Sequence, residues 1–338
     1  MIEVDGSHGE GGGQVLRTAV SLSAVLREPV RVTGIRAGRP NPGLAAQHVA
    51  GIGAVAELCD AEVDGVSVGS EEVTFRPGAL VGGEFDFDIG TAGSTSLVLQ
   101  ACLLPAAFSK SLVTLTLKGG TDTKWSPPVD FMRLVHTPIV RRMGVSIDID
   151  LVHRGFYPEG GGEIVARIDP CPGIRGVDLG HRGGFLRVSG VAYAQNLPEH
   201  VVSRTKHAAL KALVEHKNVK VDSERSSGVS TGAGVVLAAE YENTVLGASV
   251  LGQRGLKAET LGETCATDLA ETIRSGATVD EHMLDQILPY MALAKEESVI
   301  LAEELTGHAE TNMWVVERFL GRRFAVGKRD PLVEVRTA

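Results

Sequence analysis

His308 stands in the run Gly307-His308-Ala309-Glu310-Thr311-Asn312, where a strand-like stretch gives way to a helix. Backbone N–H groups at a helix start can hold a phosphate beside such a ring. A neutral imidazole there can attack phosphorus and form a phosphoramidate, dividing one hard displacement into two. Taken alone, a single histidine is more often a surface or structural residue. Near the other end of the chain, Gly9-Glu10-Gly11-Gly12-Gly13-Gln14 forms a glycine-rich turn before a helix, and its N–H groups suit a phosphate as well. Gln14 occupies the place of the third glycine of a dinucleotide fingerprint, so the loop is not one. Glu10 would repel a bare anion. It makes sense if a divalent cation lies between carboxylate and phosphate, although a tight turn with a surface glutamate reads equally well in isolation.

Cations gather nearby in sequence. Gly34-Ile35-Arg36-Ala37-Gly38-Arg39-Pro40-Asn41-Pro42-Gly43 is followed by Gln47-His48. Arg36 and Arg39 on a rigid turn can converge on one phosphate by bidentate contacts, and Arg17, one helical turn after Gln14, is placed to join them. Gly90-Thr91-Ala92-Gly93-Ser94 leads into a helix carrying Gln100, where small hydroxyl residues ordinarily act as caps. Gly119-Gly120-Thr121-Asp122 with Ser126-Pro127-Pro128 is a second stiff turn, and His282-Met283-Leu284-Asp285-Gln286 falls on an apparent helix. His-Glu-x-x-His, Gly-x-Ser-x-Gly and Walker A patterns do not occur.

The elements that must position these residues follow from periodicity. Strands are expected at Ile2 to Val4, Val30 to Ile35, Ala61 to Val68 and Val73 to Phe75, with helices from Gln14 to Leu26 and Ala45 to Leu58. The rhythm recurs with strands at Phe85 to Ile89, Leu112 to Leu117, Val145 to Ile149 and Glu163 to Ile168, and with helices ending near Phe108 and spanning Val129 to Met143. This β-α-β-α-β-β pattern, repeated at roughly 80 residues, reads as internal duplication, at a period too long for a solenoid. A glycine-rich stretch without periodicity, Cys171 to Gly184, precedes a block that reads as a smaller α+β unit. From Asp280 the helix–strand rhythm of the first half returns. The expected fold class is α+β: residues 1–180 and 278–338 form a large repeat-built domain, and residues 181–277 form an inserted small one.

Composition bounds the partners. The 338 residues carry a net charge of −9. A protein that coats long nucleic acid is usually basic, so a single nucleotide or one strand end is the better expectation. Glycine, at 41 residues, exceeds its usual share of about 7%. The four cysteines form no Cys-x-x-Cys pair, which gives neither a zinc site nor a disulfide framework. The first residues lack a basic, apolar leader, and the densest apolar run, Leu97 to Phe108, is too short to span a bilayer. A cytoplasmic setting without membrane association is expected; a homodimer is left open.

In order along nearly the whole chain, these motifs resemble the RNA 3′-terminal phosphate cyclase family: Gly9 to Arg17, Gly34 to Leu44, Gly90 to Gln100, Gly119 to Asp122, Arg154 to Gly162, His282 to Gln286 and His308 to Asn312. The resemblance implies a large domain of repeated units, each two helices on a four-stranded sheet like the C-terminal domain of bacterial translation initiation factor three, with a smaller domain inserted. It implies ATP and a divalent metal, Mg2+ or Mn2+, and RNA 3′-phosphate ends as partners. These are converted to 2′,3′-cyclic phosphodiesters with release of AMP and pyrophosphate. By the same resemblance His308 matches the nucleophile that becomes adenylylated and Glu10 the metal ligand. Gln100, His282, Asp285 and Gln286 match ATP-site positions, with Pro127 and Phe131 packing on the adenine. Arg17, Arg36, Arg39 and Gln47 match the set that binds ATP phosphates or the RNA terminal phosphate.

Overall fold

The computed structural model describes residues 1–321 and 323–337. The chain begins with β1 (Ile2–Asp5), α1 (Gly13–Leu26), β2 (Val30–Thr33), α2 (Ala46–Cys59), β3 (Glu62–Asp64) and β4 (Val73–Arg76). The four strands lie in the order β1-β2-β4-β3, with β1 parallel to β2 and the other pairs antiparallel. There follow β5 (Gly83–Asp88), α3 (Thr95–Ala107), β6 (Val113–Gly119), α4 (Val129–Phe131), a π-helical turn at Met132–His136, α5 (Thr137–Arg142), β7 (Ile147–His153) and β8 (Gly162–Ile168). Their order, β5-β6-β8-β7, and their strand directions match those of the first sheet.

The next segment holds β9 (Phe185–Gln195), α6 (Glu199–Ala212), β10 (Val219–Ser226), β11 (Gly232–Tyr241), β12 (Val245–Leu251) and α7 (Ala258–Ser275). It makes a sheet of order β10-β9-β11-β12. The chain closes with α8 (Glu281–Leu293), β13 (Val299–Ala302), α9 (Gly307–Leu320), β14 (Phe324–Arg329) and β15 (Leu332–Thr337), whose strands run β13-β15-β14. Asp178 bridges in parallel to Val299 on the outer edge of β13.

Local pattern explains most of this. In β6, Val113, Leu115 and Leu117 are buried while Thr114 and Thr116 between them are partly open, the alternation of a sheet covered on one face. Helices α1 and α3 instead are buried on nearly every side, and α1 does so with small Ala and Ser side chains between Val and Leu. Such helices form the centre of a layer rather than its outside. β11 is buried on both faces. Val235, Leu237 and Ala239 join a separate core with α6 and α7, and Val236 and Ala238 face the main core.

The expected single helix over Val129 to Met143 is broken by the π-helical turn. β12 escaped the sequence pattern because it has no alternation: Val245 to Ala248 are all buried. The strand-like contact at Asp178 is one residue long and leaves no periodicity to read.

Polar groups clamp the seam between the β10-β9-β11-β12 sheet and the rest. Arg154, with 1% of its side chain exposed, meets Asp130 at 2.7 Å, Asp122 at 3.3 Å and Glu224 of β10 at 2.7 Å. Its guanidinium lies 3.7 Å over the Tyr193 ring of β9. Burial alone would depress this guanidinium, but the three carboxylates hold it above its ordinary value. Asp280 clamps a second point. It accepts from the N–H groups of His282 (3.1 Å) and Met283 (2.8 Å), capping α8, and its other oxygen accepts from Gly247 of β12 at 2.9 Å.

Candidate active site

Glu10 and His308, 298 positions apart in sequence, meet because α9 starts beside the loop between β1 and α1. His308 Nδ1 lies 3.1 Å from Glu10 Oε2. Thr306 caps α9 by accepting from Ala309 N–H at 3.2 Å, which fixes the first turn and with it the His308 backbone. Two glycines permit the approach. A Cβ at Gly307 would stand 2.7 Å from Glu10 Oε1, and one at Gly9, whose φ is +59°, would collide with the Thr311 hydroxyl. With Nδ1–H directed at the carboxylate, the lone pair of a neutral ring is left on Nε2, the tautomer a nucleophile needs. Both side chains remain partly exposed, 51% for His308 and 39% for Glu10, so a substrate can reach them.

Behind this pair lies a cavity of about 50 Å³ lined by Gln14, Arg17, Gln100, Asp285, Gln286 and Asn312, and reaching inward to Ser21, His136 and Tyr290. The Gln14 amide donates to Asp285 Oδ2. Burial pushes the Asp285 carboxyl up, while the Gln14 hydrogen bond and the nearby His308, Arg17 and His282 pull it back. Burial lowers the Arg17 guanidinium to about 10, with Asp285 opposing, so it stays charged at neutral pH. Gln100 donates to Gln286 Oε1 at 2.8 Å, and Gln286 in turn donates to the His282 carbonyl at 2.6 Å. Phe131 meets His282 edge-on, ring centroids 6.0 Å apart, but Phe131 itself is fully buried. Pro127 is partly exposed just ahead of α4.

The cationic side is held by α2 and its preceding turn. Arg39 donates to the Glu10 carbonyl at 3.1 Å, and Arg36 donates to Gly43 O at 2.7 Å. Burial, then the charge of Arg39, depresses the Arg36 guanidinium, which places two like charges together. Among the described residues none of Arg17, Arg36 and Arg39 forms a salt bridge. Such a cluster favours an anion. Gln47 does not face it with its carbonyl: Oε1 accepts from Ser94 N–H at 3.2 Å, joining α2 to the Gly90–Ser94 loop.

Three further residues belong to the site. His48 is buried against Gly13 and accepts from Ala45 N–H at 3.0 Å through Nδ1. Burial, Arg17 and Arg36 push it down to about 3, so it is a neutral ring under the arginines. Asn312 donates to Asp285 O at 2.7 Å and accepts from the Thr18 hydroxyl at 2.6 Å, fastening α9 to α8 and α1. Gln14 orients Asp285. The signal for these was a polar side chain on an otherwise apolar helix face, which in a lone sequence is also what a cap or a surface position looks like.

The family model described as RNA 3′-terminal phosphate cyclase matches residues 8–326. The chain belongs to that family. Similar curated proteins bear the same description. One from Nitrosospira multiformis is 45% identical over 99% of this chain and 96% of its own length. Another, from Ignicoccus hospitalis, is 46% identical over 95% of this chain and 93% of its own. The enolpyruvyl transferase NikO from Streptomyces tendae aligns at 22% identity with a TM-score of 0.31, over 49% of this chain and 32% of that one, a likeness too weak to bear on the fold. The family's span takes in both Glu10 and His308, the two ends of the site. No helix among the described residues is long and apolar enough to cross a membrane.

Proposed function

We propose that this cyclase-family enzyme converts an RNA 3′-phosphate to a 2′,3′-cyclic phosphodiester with ATP, through AMP carried on His308. The observation that carries the reading is the His308–Glu10 contact at a helix start, inside a chain matched to the family from residue 8 to residue 326. His308 Nε2 attacks the α-phosphorus of ATP, a P–N bond forms, and the bond to pyrophosphate breaks. An oxygen of the RNA 3′-phosphate then takes AMP from the histidine, freeing the imidazole. The neighbouring 2′-hydroxyl attacks the terminal phosphorus, loses its proton and expels AMP. This closure is intramolecular, so its effective concentration is high and it asks little of the protein.

Arg17, Arg36 and Arg39 neutralise the phosphates in this scheme, with Gln47 holding the neighbouring loop in register. Asp285, Gln286, Gln100 and His282 line the nucleoside side, and Pro127 stands at its rim. Phe131, having no open surface, supports His282 from beneath. Glu10 suits a metal such as Mg2+, which binds through one or two carboxylates plus substrate phosphates rather than in an all-protein cage. Among the described residues no three His, Cys, Asp or Glu side chains gather as a metal site. When bound, the cation supplies charge stabilisation to the departing pyrophosphate.

The same reading extends to the architecture. The two sheets of like order, and the third group from Asp178 through β15, are three copies of one unit. Residues 181–277 are an insertion between the first strand and first helix of the third copy.

Incubation with α-labelled ATP tests the scheme. The protein should retain acid-labile, alkali-stable AMP on the peptide containing His308. His308→Ala should lose both labelling and cyclisation, yet still close RNA that already carries a 3′-ppA end, since that step needs no nucleophilic histidine. Label that persists in the variant, or maps to a lysine, would overturn the mechanism.

A further inference from the structure

We infer that Trp125 is a stacking platform for a base of the RNA strand whose 3′-phosphate enters the site. The ligand's identity rests on the cyclase reading; the platform itself rests on the geometry. Trp125 is 94% exposed, the most open large apolar side chain among the described residues. Its backbone is left-handed, φ +61°, a conformation that a bulky residue adopts at a cost. An indole held in water in a strained backbone gives nothing to the core.

The loop that carries it is rigid. Ser126 donates to Thr123 O at 3.0 Å and their hydroxyls meet at 2.8 Å, and Pro127-Pro128 follow directly. The loop is also fixed to the phosphate side. Gln47 holds Ser94, Ser94 bridges to Gly120, and a Cβ on Gly120 would strike Thr123. Trp125 is thus one short loop away from the residues assigned to phosphate.

Charge selects the strand's direction. Lys124 donates to Gln253 Oε1 at 3.2 Å, and the exposed Arg254 and Lys257 follow Gln253 one and four residues later in the chain. Among the described residues none of these three cations forms a salt bridge with a carboxylate. A separate groove of about 540 Å³ beside His282 is lined by Asp268, Glu271, Glu281, Glu303 and Glu304. It repels phosphates, so the strand leaves past Trp125. Cations that take the backbone, with one aromatic face for a base, are the recurrent parts of single-strand recognition, and they tolerate any sequence because every base has a π face.

The test uses the full chain and a short 3′-phosphorylated oligoribonucleotide. The oligonucleotide should quench tryptophan fluorescence. Trp125→Ala should remove that quenching and weaken binding roughly 5- to 150-fold, the range expected for one stacked base, with Trp125→Phe between the two. AMP labelling from ATP alone should match the wild type in both variants, which also reports that they fold. Affinity for the oligonucleotide within twofold of wild type in Trp125→Ala would overturn the inference. So would an altered sedimentation coefficient with unchanged affinity, which would make the ring a contact between copies. Failure of the wild type to label with AMP would overturn the cyclase reading instead, while the fluorescence and affinity measurements still decide the platform.

Discussion

Glu10 has two oxygens and two demands on them. One receives His308 Nδ1 at 3.1 Å; the other lies against Gly307, where the proposed cation would bind. The two roles separate by substitution. Glu10→Gln retains an oxygen that accepts from Nδ1–H, so the ring keeps its tautomer, but the charge that draws a divalent cation is gone. Adenylylation by Glu10→Gln should therefore need a higher metal concentration and approach the wild-type rate at saturation. Glu10→Ala loses both roles and should stay slow at any metal concentration. A metal titration of Glu10→Gln that overlays the wild type would reduce Glu10 to a loop residue. At this scale the short motifs carrying His308, Glu10 and the arginines mark the candidates, while residue type alone reads His308 equally as a surface histidine and Glu10 as a turn residue; the fold brings the two together at 3.1 Å. Phe131 shows the limit: the family resemblance implied packing on the adenine, whereas its position under His282 and against Gly247 leaves it no exposed surface. That is a matter of packing across 116 residues between Phe131 and Gly247, which no local pattern encodes.

Helix α9 delivers His308 only because its first residue has no side chain. Gly307→Ala should improve the helix slightly, by up to about 1 kcal/mol, since alanine is the better helix former. The new Cβ would stand 2.7 Å from Glu10 Oε1 and push the carboxylate aside, because the far end of a glutamate yields before backbone does. Displacements of that order cost up to about 10²-fold in rate. The expected result is an unchanged or higher melting temperature with slower AMP labelling. Equal rates in variant and wild type would mean the loop absorbs the change. Elements such as α1, α9 and the strands of the first two sheets were legible because their burial is periodic or complete over many residues. The π-helical turn at Met132–His136 was not. The sequence there continues a good helical pattern, and the departure from α geometry comes with tertiary contacts, Met132 Sδ to Gln100 and His136 to Tyr290.

Across the whole molecule, two histidines are held neutral by burial. His136 is pushed down to about 4 by desolvation, and His48 to about 3 by desolvation and two arginines. Unfolded, each protonates near 6.5. The unfolded chain thus binds protons that the folded chain refuses. Their contribution is complete above about pH 6.5 and is lost as pH falls toward 4 and then 3. Between pH 7 and pH 5 each should cost about 2 kcal/mol of stability. Urea unfolding at the two pH values should show it, and His48→Gln should remove about half of the difference. A wild-type midpoint that does not move between pH 7 and pH 5 would contradict the neutral assignment. The seam that joins the β10-β9-β11-β12 sheet to the rest has a consequence for recombination. Arg154 draws Asp122 and Asp130 from one side and Glu224 from the other, while Asp280 holds both the start of α8 and Gly247. Exchanging residues 181–277 between relatives as a cassette splits this set of charges between two parents. Chimeras should be most stable where the incoming segment also carries a carboxylate at the Glu224 position, since its loss leaves the buried Arg154 guanidinium with Asp122 and Asp130 alone and breaks one arm of the charge network. Crossovers are therefore tolerated by the loops and vetoed by the seam.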